Sequence, residues 1–293
     1  MAPFTPSAAV MAWQFAPLVI ALLAVLGGCY LAAVWRAGCR APGGRRPRPW
    51  PASRTVAFLG GLAVVAVATE GSPGVYDDTL LTAHMVQHLL LIMVAPPLLV
   101  AGRPVTLLLH AVRNPWHTRL KRVLRSRVVA ALTWPPAGVA LYSAVVLCTH
   151  LTGLLEARGA LHDAEHAAYL LAGYLYFLPV IGSEPLRWRL PPLGRYLLLL
   201  AAMPADMVTG AALMLHGPLG QYGAGDVRAA GLIMVAGSEL VMAAVAVALA
   251  VAVVRDRGGA ERRGADPATA LSAYNAYLAS LDPAGTFTGT DRR

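Results

Sequence analysis

The chain has 293 residues, 57% hydrophobic and only 13% charged. That is too apolar for an ordinary soluble domain. The net charge of +9 does not argue for nucleic acid, because the basic residues sit between apolar runs, where they act as topology signals and meet anionic lipid.

Apolar runs near 11–35, 55–72, 79–101, 128–150, 162–182, 195–216 and 228–254 approach or exceed the ~20 residues needed to cross a bilayer. Backbone polar groups must be satisfied internally in lipid, so these runs are expected to be helices. The expected fold is all-α: a polytopic membrane protein with seven transmembrane helices over 1–254 and a tail over 255–293. The first run lacks a preceding Lys or Arg and is too long for a signal-peptide core, so it is expected to stay as a span. The second is short, contains Gly60 and Gly61, and ends near Glu70.

Of the 24 Lys and Arg residues, all but Arg158 and Arg228 fall in the first, third and fifth loops or the tail. By the positive-inside rule the N-terminus is then outside and the C-terminus cytoplasmic. Glu70, Asp77, Asp78, Glu156, Asp163, Glu165 and Asp226 gather on the opposite, outer side, where they attract cations. Lys121 is the single lysine, and the Ala, Gly and Arg bias suggests a GC-rich bacterial genome and a bacterial cell membrane. Cys29, Cys39 and Cys148 form no CxxC pair, so a disulfide framework is not expected. In the tail, Asp266 and Pro267 read as a helix start, followed by Leu271, Tyr274, Leu278 and Leu281 at helical spacing.

With this topology six of the eight histidines, His84, His88, His150, His162, His166 and His216, lie toward the outer ends of their spans. His84/His88 and His162/His166 are four apart, which stacks each pair on one helical face. Imidazole ligates copper, zinc and haem iron in its neutral form. Met214 adds a thioether near the outer end of the sixth span, although methionine also serves as packing filler. Asp77, Asp78, Asp163 and Glu165 flank the pairs and suit outer-shell contacts to ligating imidazoles, or helix N-capping. His110 and His117 are expected to be ordinary residues of the third loop. Asp206 and Glu239 are ionisable residues inside spans six and seven, a costly placement that makes each a functional candidate or half of a buried polar pair.

The stretch DDTLLTAHMVQHLLLIMVAPPLLVAGRP over 77–104, with the later HDAEH and GSEP segments over 162–185, resembles the CtaG family of cytochrome c oxidase assembly factors. The resemblance covers about 10–255. It departs from the family pattern where Asp226 is followed by Val227 instead of Gln. It implies a non-enzymatic membrane protein that matures haem-copper oxidases by handling copper, with His84, His88, His162 and His166 as the implied metal residues. The implied partners are a haem-copper oxidase subunit, membrane lipid and an extracytoplasmic copper chaperone, with no nucleic acid. Ligand exchange from the histidines to the nascent oxidase is the mechanism this implies. Four other readings stay open: a seven-span zinc-dependent hydrolase, a haem b redox protein, a transporter using Asp206 and Glu239, and a metal-free assembly scaffold.

Overall fold

The computed structural model describes residues 12–39, 49–152, 159–264 and 272. Among them the chain is helical, with a single isolated bridge between Leu219 and Tyr222 and no strand. The helices are α1 (Pro17–Gly38), α2 (Ala52–Glu70), α3 (Ser72–Tyr76), α4 (Leu81–Leu89), α5 (Ala95–Ala101), α6 (Pro104–Ala111), α7 (Trp116–Leu124), α8 (Arg127–Leu132), α9 (Pro135–Leu151), α10 (Ala160–Ile181), α11 (Pro192–Leu215) and α12 (Ala224–Gly264). Contacts divide the chain into two units, 1–246 and 247–293. The described residues of the second are helical: 247–264, the end of α12, and Ser272.

Among the described residues, five helical segments are long and apolar enough to cross a membrane: Pro17–Gly38, Ala52–Tyr76, Leu81–Ala111, Pro192–Leu215 and Ala224–Arg255. α9 is a shorter apolar helix of 17 residues. α10 has 22 residues but carries Asp163 and Glu165 in its first two turns. The expected tail helix, the loop arginines at 40–48, Glu156 and Arg158 lie outside the described residues.

The packing follows from small residues meeting large ones. Gly61 on α2 faces Leu99 on α5, and a Cβ at Gly102 would strike Phe58. Phe58 in turn stacks on Tyr30 of α1 with ring centroids 4.0 Å apart. Tyr30 donates to the Gly102 carbonyl at 2.7 Å, which satisfies a helix-end acceptor. The outer faces of these helices stay apolar, as at Leu18, Val25 and Val56, which suits lipid rather than water.

Between α4 and α5 the helix widens into a π turn over Leu90–Val94, closed by the Ala95 N–H bonding to the Leu90 carbonyl. Pro96 and Pro97 explain it. Neither has an N–H, so the carbonyls of Ile92 and Met93 lose their ordinary partners. Gly173 on α10 fits against this point, and a Cβ there would run into the Ile92 oxygen and the Pro96 ring. The missing side chain thus lets α10 close over an exposed carbonyl, within reach of a Cα–H contact.

Three carboxylates cap helices that are distant in sequence. Glu70 accepts the Ala16 N–H ahead of α1. Asp226 accepts the Leu81 and Thr82 N–H groups and the Thr82 hydroxyl at the start of α4. Glu184 accepts the Val105 and Thr106 N–H groups and the Thr106 hydroxyl at the start of α6. The N-cap positions themselves are Ala16, Leu80 and Arg103, none with a capping side chain. Each acid therefore replaces a missing local cap and places negative charge at the positive end of the helix.

Candidate metal centre

α4 presents His84 and His88 one turn apart, with ring centroids 4.1 Å apart. α10 presents His162 and His166 in the same way at 4.2 Å. The two helices bring these pairs together: His84 lies 5.3 Å from His162 and His88 lies 6.2 Å from His166, centroid to centroid. α9 adds His150, 5.4 Å from His88. Five of the six expected histidines therefore form one cluster.

Carboxylates thread through it. Asp77 accepts from His162 Nε2 at 3.1 Å. Glu165 reaches both pairs, with Oε2 3.4 Å from His162 Nδ1 and Oε1 3.7 Å from His88 Nε2. Two sets of potential ligands result, Asp77/His162/His166 and His84/His88/Glu165, each with its donor atoms within 4.8 Å of one another. The cluster is graded in depth. His162 and His166 are half-buried at the rim, while His84, His88 and His150 are buried below.

The floor is built from α9 and α10. Tyr169, three residues after His166, stacks on His88 at 4.1 Å. Its hydroxyl meets Thr149 at 2.6 Å and His150 Nδ1 at 3.1 Å. His150 Nδ1 also lies 2.8 Å from the Val146 carbonyl. A carbonyl can only accept, so Nδ1 carries the proton and Nε2 is left with its lone pair. Gln87, between the two α4 histidines, donates to the Ala68 carbonyl and ties α4 to α2.

Many of these polar atoms are buried and have no hydrogen-bond partner: His84 Nε2, both nitrogens of His88, His150 Nε2, His166 Nε2 and both Glu165 oxygens. Buried polar groups are otherwise nearly always satisfied. Several orphans gathered around one point form a donor set of imidazole nitrogen and carboxylate oxygen, which fits a transition-metal ion. Rings this close leave room for an ion, whereas a macrocycle would have to force them apart.

The remaining expected residues fall elsewhere. His216 and Met214 are exposed, and Met214 packs against Gly231. Asp78 is exposed, and its carbonyl accepts from Gln221. Asp163 is exposed in the first turn of α10. The capping reading of Asp77 and Asp78 does not hold, because α4 starts at Leu81 and its amides go to Asp226. His110 is on α6 rather than in a loop, with Nδ1 2.7 Å from the Thr106 carbonyl. The three cysteines are free and exposed. Asp206 is buried and accepts from the Tyr142 hydroxyl at 3.0 Å, so it has the buried polar partner expected of it.

Asp77 sits outside the helical spans. Burial alone would raise its carboxyl, but the hydrogen bond and charge of His162 outweigh this and hold it below its ordinary value.

Tyr169, Thr149 and Asp226 were not expected at the site. Tyr169 had a signal, since it follows His162 and His166 on the same helical face. Asp226 had only its negative charge and its place in the family pattern, neither of which pointed to the start of α4.

A family model described as cytochrome c oxidase caa3 assembly factor (Caa3_CtaG) matches residues 28–256. An uncharacterized protein of Mycobacterium leprae (strain TN) is 33% identical over 215 residues, covering 69% of this chain and 31% of the relative. Uncharacterized proteins of Mycobacterium bovis (strain ATCC BAA-935 / AF2122/97) and Mycobacterium tuberculosis (strain CDC 1551 / Oshkosh) are each 34% identical over 225 residues, covering 72% of this chain and 33% of the relative. The chain thus spans about a third of the length of these curated relatives. No solved structure matches it.

Proposed function

The chain belongs to the cytochrome c oxidase caa3 assembly factor family, and from that premise we propose that it carries copper as cargo for an oxidase. The cargo sits in the imidazole–carboxylate cluster of α4, α9 and α10. The observation that supports this reading is the set of buried nitrogens without a hydrogen bond at His84, His88, His150 and His166, beside a Glu165 carboxylate that also makes none and only approaches His88 and His162. Nothing else in the described structure accounts for leaving so many polar atoms unsatisfied, and copper favours imidazole nitrogen.

The same proposal extends to topology. The bundle has seven spans, the five long apolar segments together with α9 and α10. The N-terminus is outside and the C-terminus cytoplasmic, which puts the cluster on the outer side, in keeping with the distribution of basic residues. An extracytoplasmic donor delivers copper to the rim at His162 and His166. His84, His88 and His150 hold it below, and a nascent oxidase subunit docked in the membrane takes it by ligand exchange. The carboxylates of Asp77 and Glu165 orient the imidazoles and offset the charge of the ion. No chemical step on a substrate is required of the protein, and its role is non-catalytic.

The test is metal analysis after anaerobic purification, for the wild type and for His84→Ala/His88→Ala. Copper in the wild type and its loss in the variant are expected. Equal copper in both would sink the cargo reading. Oxidase assembly in cells carrying the variant then separates a carrier from a scaffold, because a scaffold would still support it.

A further inference from the structure

The end of the Leu81–Ala111 segment away from His84 leads into a strongly basic surface. No Asp or Glu occurs between Asp78 and Glu156, whereas 103–127 holds seven Arg and Lys residues. Glu184, which lies next to Pro185 at this end, is already bonded to the start of α6. α7 is amphipathic: Trp116, Leu120, Val123 and Leu124 share one face by helical spacing. Trp116 and Val123 on that face are 64% and 56% exposed. Arg119 lies over the Trp116 ring, 4.9 Å from its centroid. A helix with this pattern suits the interface of a bilayer.

Two clefts open beside α7. One, of about 680 Å³, has Lys121, Arg122, Arg125 and Arg127 in its wall together with the hydroxyls of Thr118 and Ser126. The other, of about 440 Å³, is lined by Lys121, Arg125 and Arg187 together with the apolar Leu109, Leu124 and Leu186. Lys121 and Arg125 line both, so the two clefts share one cationic wall. Among the described residues, no acidic residue lines either.

We propose that these joined clefts bind an anionic phospholipid that carries two phosphates. One phosphate sits in each cleft with Lys121 and Arg125 between them, and an acyl chain lies along Leu109, Leu124 and Leu186. Charge complementarity argues for the phosphates, since this many cations without a carboxylate need external anions. The apolar wall and the exposed Trp116 face argue for a lipid over a free anion. The inference does not rest on the copper reading.

The test is native mass spectrometry of the full chain in detergent, titrated with cardiolipin, phosphatidylglycerol, phosphatidylcholine and inorganic pyrophosphate. Cardiolipin should be retained best and phosphatidylcholine least. Lys121→Ala/Arg125→Ala should weaken cardiolipin binding about 25-fold, the product of two surface charges at roughly fivefold each. Arg113→Ala/Arg189→Ala makes the same charge change at residues that line neither cleft and should leave binding unchanged. Lys121→Gln/Arg125→Gln keeps the side-chain stems and should reproduce the loss if the alanine variant folds poorly. Equal loss in the control pair would overturn the site in favour of diffuse charge. Pyrophosphate binding as tightly as cardiolipin would overturn the lipid, and phosphatidylglycerol binding as tightly as cardiolipin would overturn the pair of phosphates.

Discussion

Asp226 caps the helix of His84 and His88 from 145 residues away, its carboxylate accepting the Leu81 N–H at 2.6 Å. The same carboxylate takes the Thr82 N–H and hydroxyl. α12 thereby sets where α4 begins, and so the height at which its histidines stand. Asp226→Ala should cost about 1.5–3 kcal/mol of stability, as expected for hydrogen bonds to a charged group. It should also weaken metal binding roughly 10–100-fold, the usual effect of losing a group that orients ligands. Asp226→Asn should recover part of both, because Asn also caps helices. Thermal unfolding and a copper titration on the same samples check this. Lost stability with unchanged copper affinity would confine Asp226 to folding.

The placement of His150 and His216 makes a second contrast. Both come at the ends of helices, and sequence alone weighs them equally. His150 is buried against His88, with its Nδ1 proton on Val146 and its Nε2 lone pair unpartnered. His216 is exposed. His150→Ala should weaken copper binding by more than the roughly 10–100-fold of an outer-shell change, while His216→Ala should leave it unaltered. Copper titration of the two variants side by side decides. Equal behaviour would remove α9 from the site.

The depth of the cluster accounts for what could be read without a structure and what could not. His-x-x-x-His spacing fixes a shared helical face by geometry alone, so His84/His88 and His162/His166 were legible. That α4 and α10 face each other rests on tertiary contacts, such as Gly173 under the π turn, and no local pattern encodes those. The acids divide in the same way. Asp77, Asp78, Asp163 and Glu165 look alike beside histidine, yet Asp77 and Glu165 join the cluster while Asp78 and Asp163 are exposed. Asp226 reads only as the retained half of a family signature whose second residue, Val227, departs from the pattern, yet its carboxylate holds the helix of the distant histidines.

The Asp77–His162 contact gives an acid-sensitivity prediction. Asp77 is held below its ordinary value by His162, against the opposing effect of burial. A carboxyl lowered on folding contributes stability that is fully present above its unfolded value and lost as pH falls through its folded one. The wild type should therefore be more stable than Asp77→Asn at neutral pH, and the two should converge as pH drops below about 4. Thermal unfolding across pH 3–7 measures the gap. A gap that stays constant over this range would mean that the Asp77 charge does not contribute.

The last prediction concerns the joint that closes α10 on α4. A Cβ at Gly173 would meet the Ile92 carbonyl oxygen and the Pro96 ring. The first is backbone and the second is locked by a proline pair, so neither can swing aside. Gly173→Ala should cost about 1–3 kcal/mol, the range for inserting a methyl into a packed interior. The strain falls on the π turn, four residues past His88, and separates α10 from α4. Copper binding should therefore fall together with thermal stability, although Gly173 touches no histidine. Gly28→Ala is the control, since a Cβ there meets nothing within 4 Å. It should leave both properties intact. If Gly173→Ala behaves like Gly28→Ala in thermal unfolding and copper titration, the close approach of α10 to the Ile92 carbonyl is not what holds the two histidine pairs together.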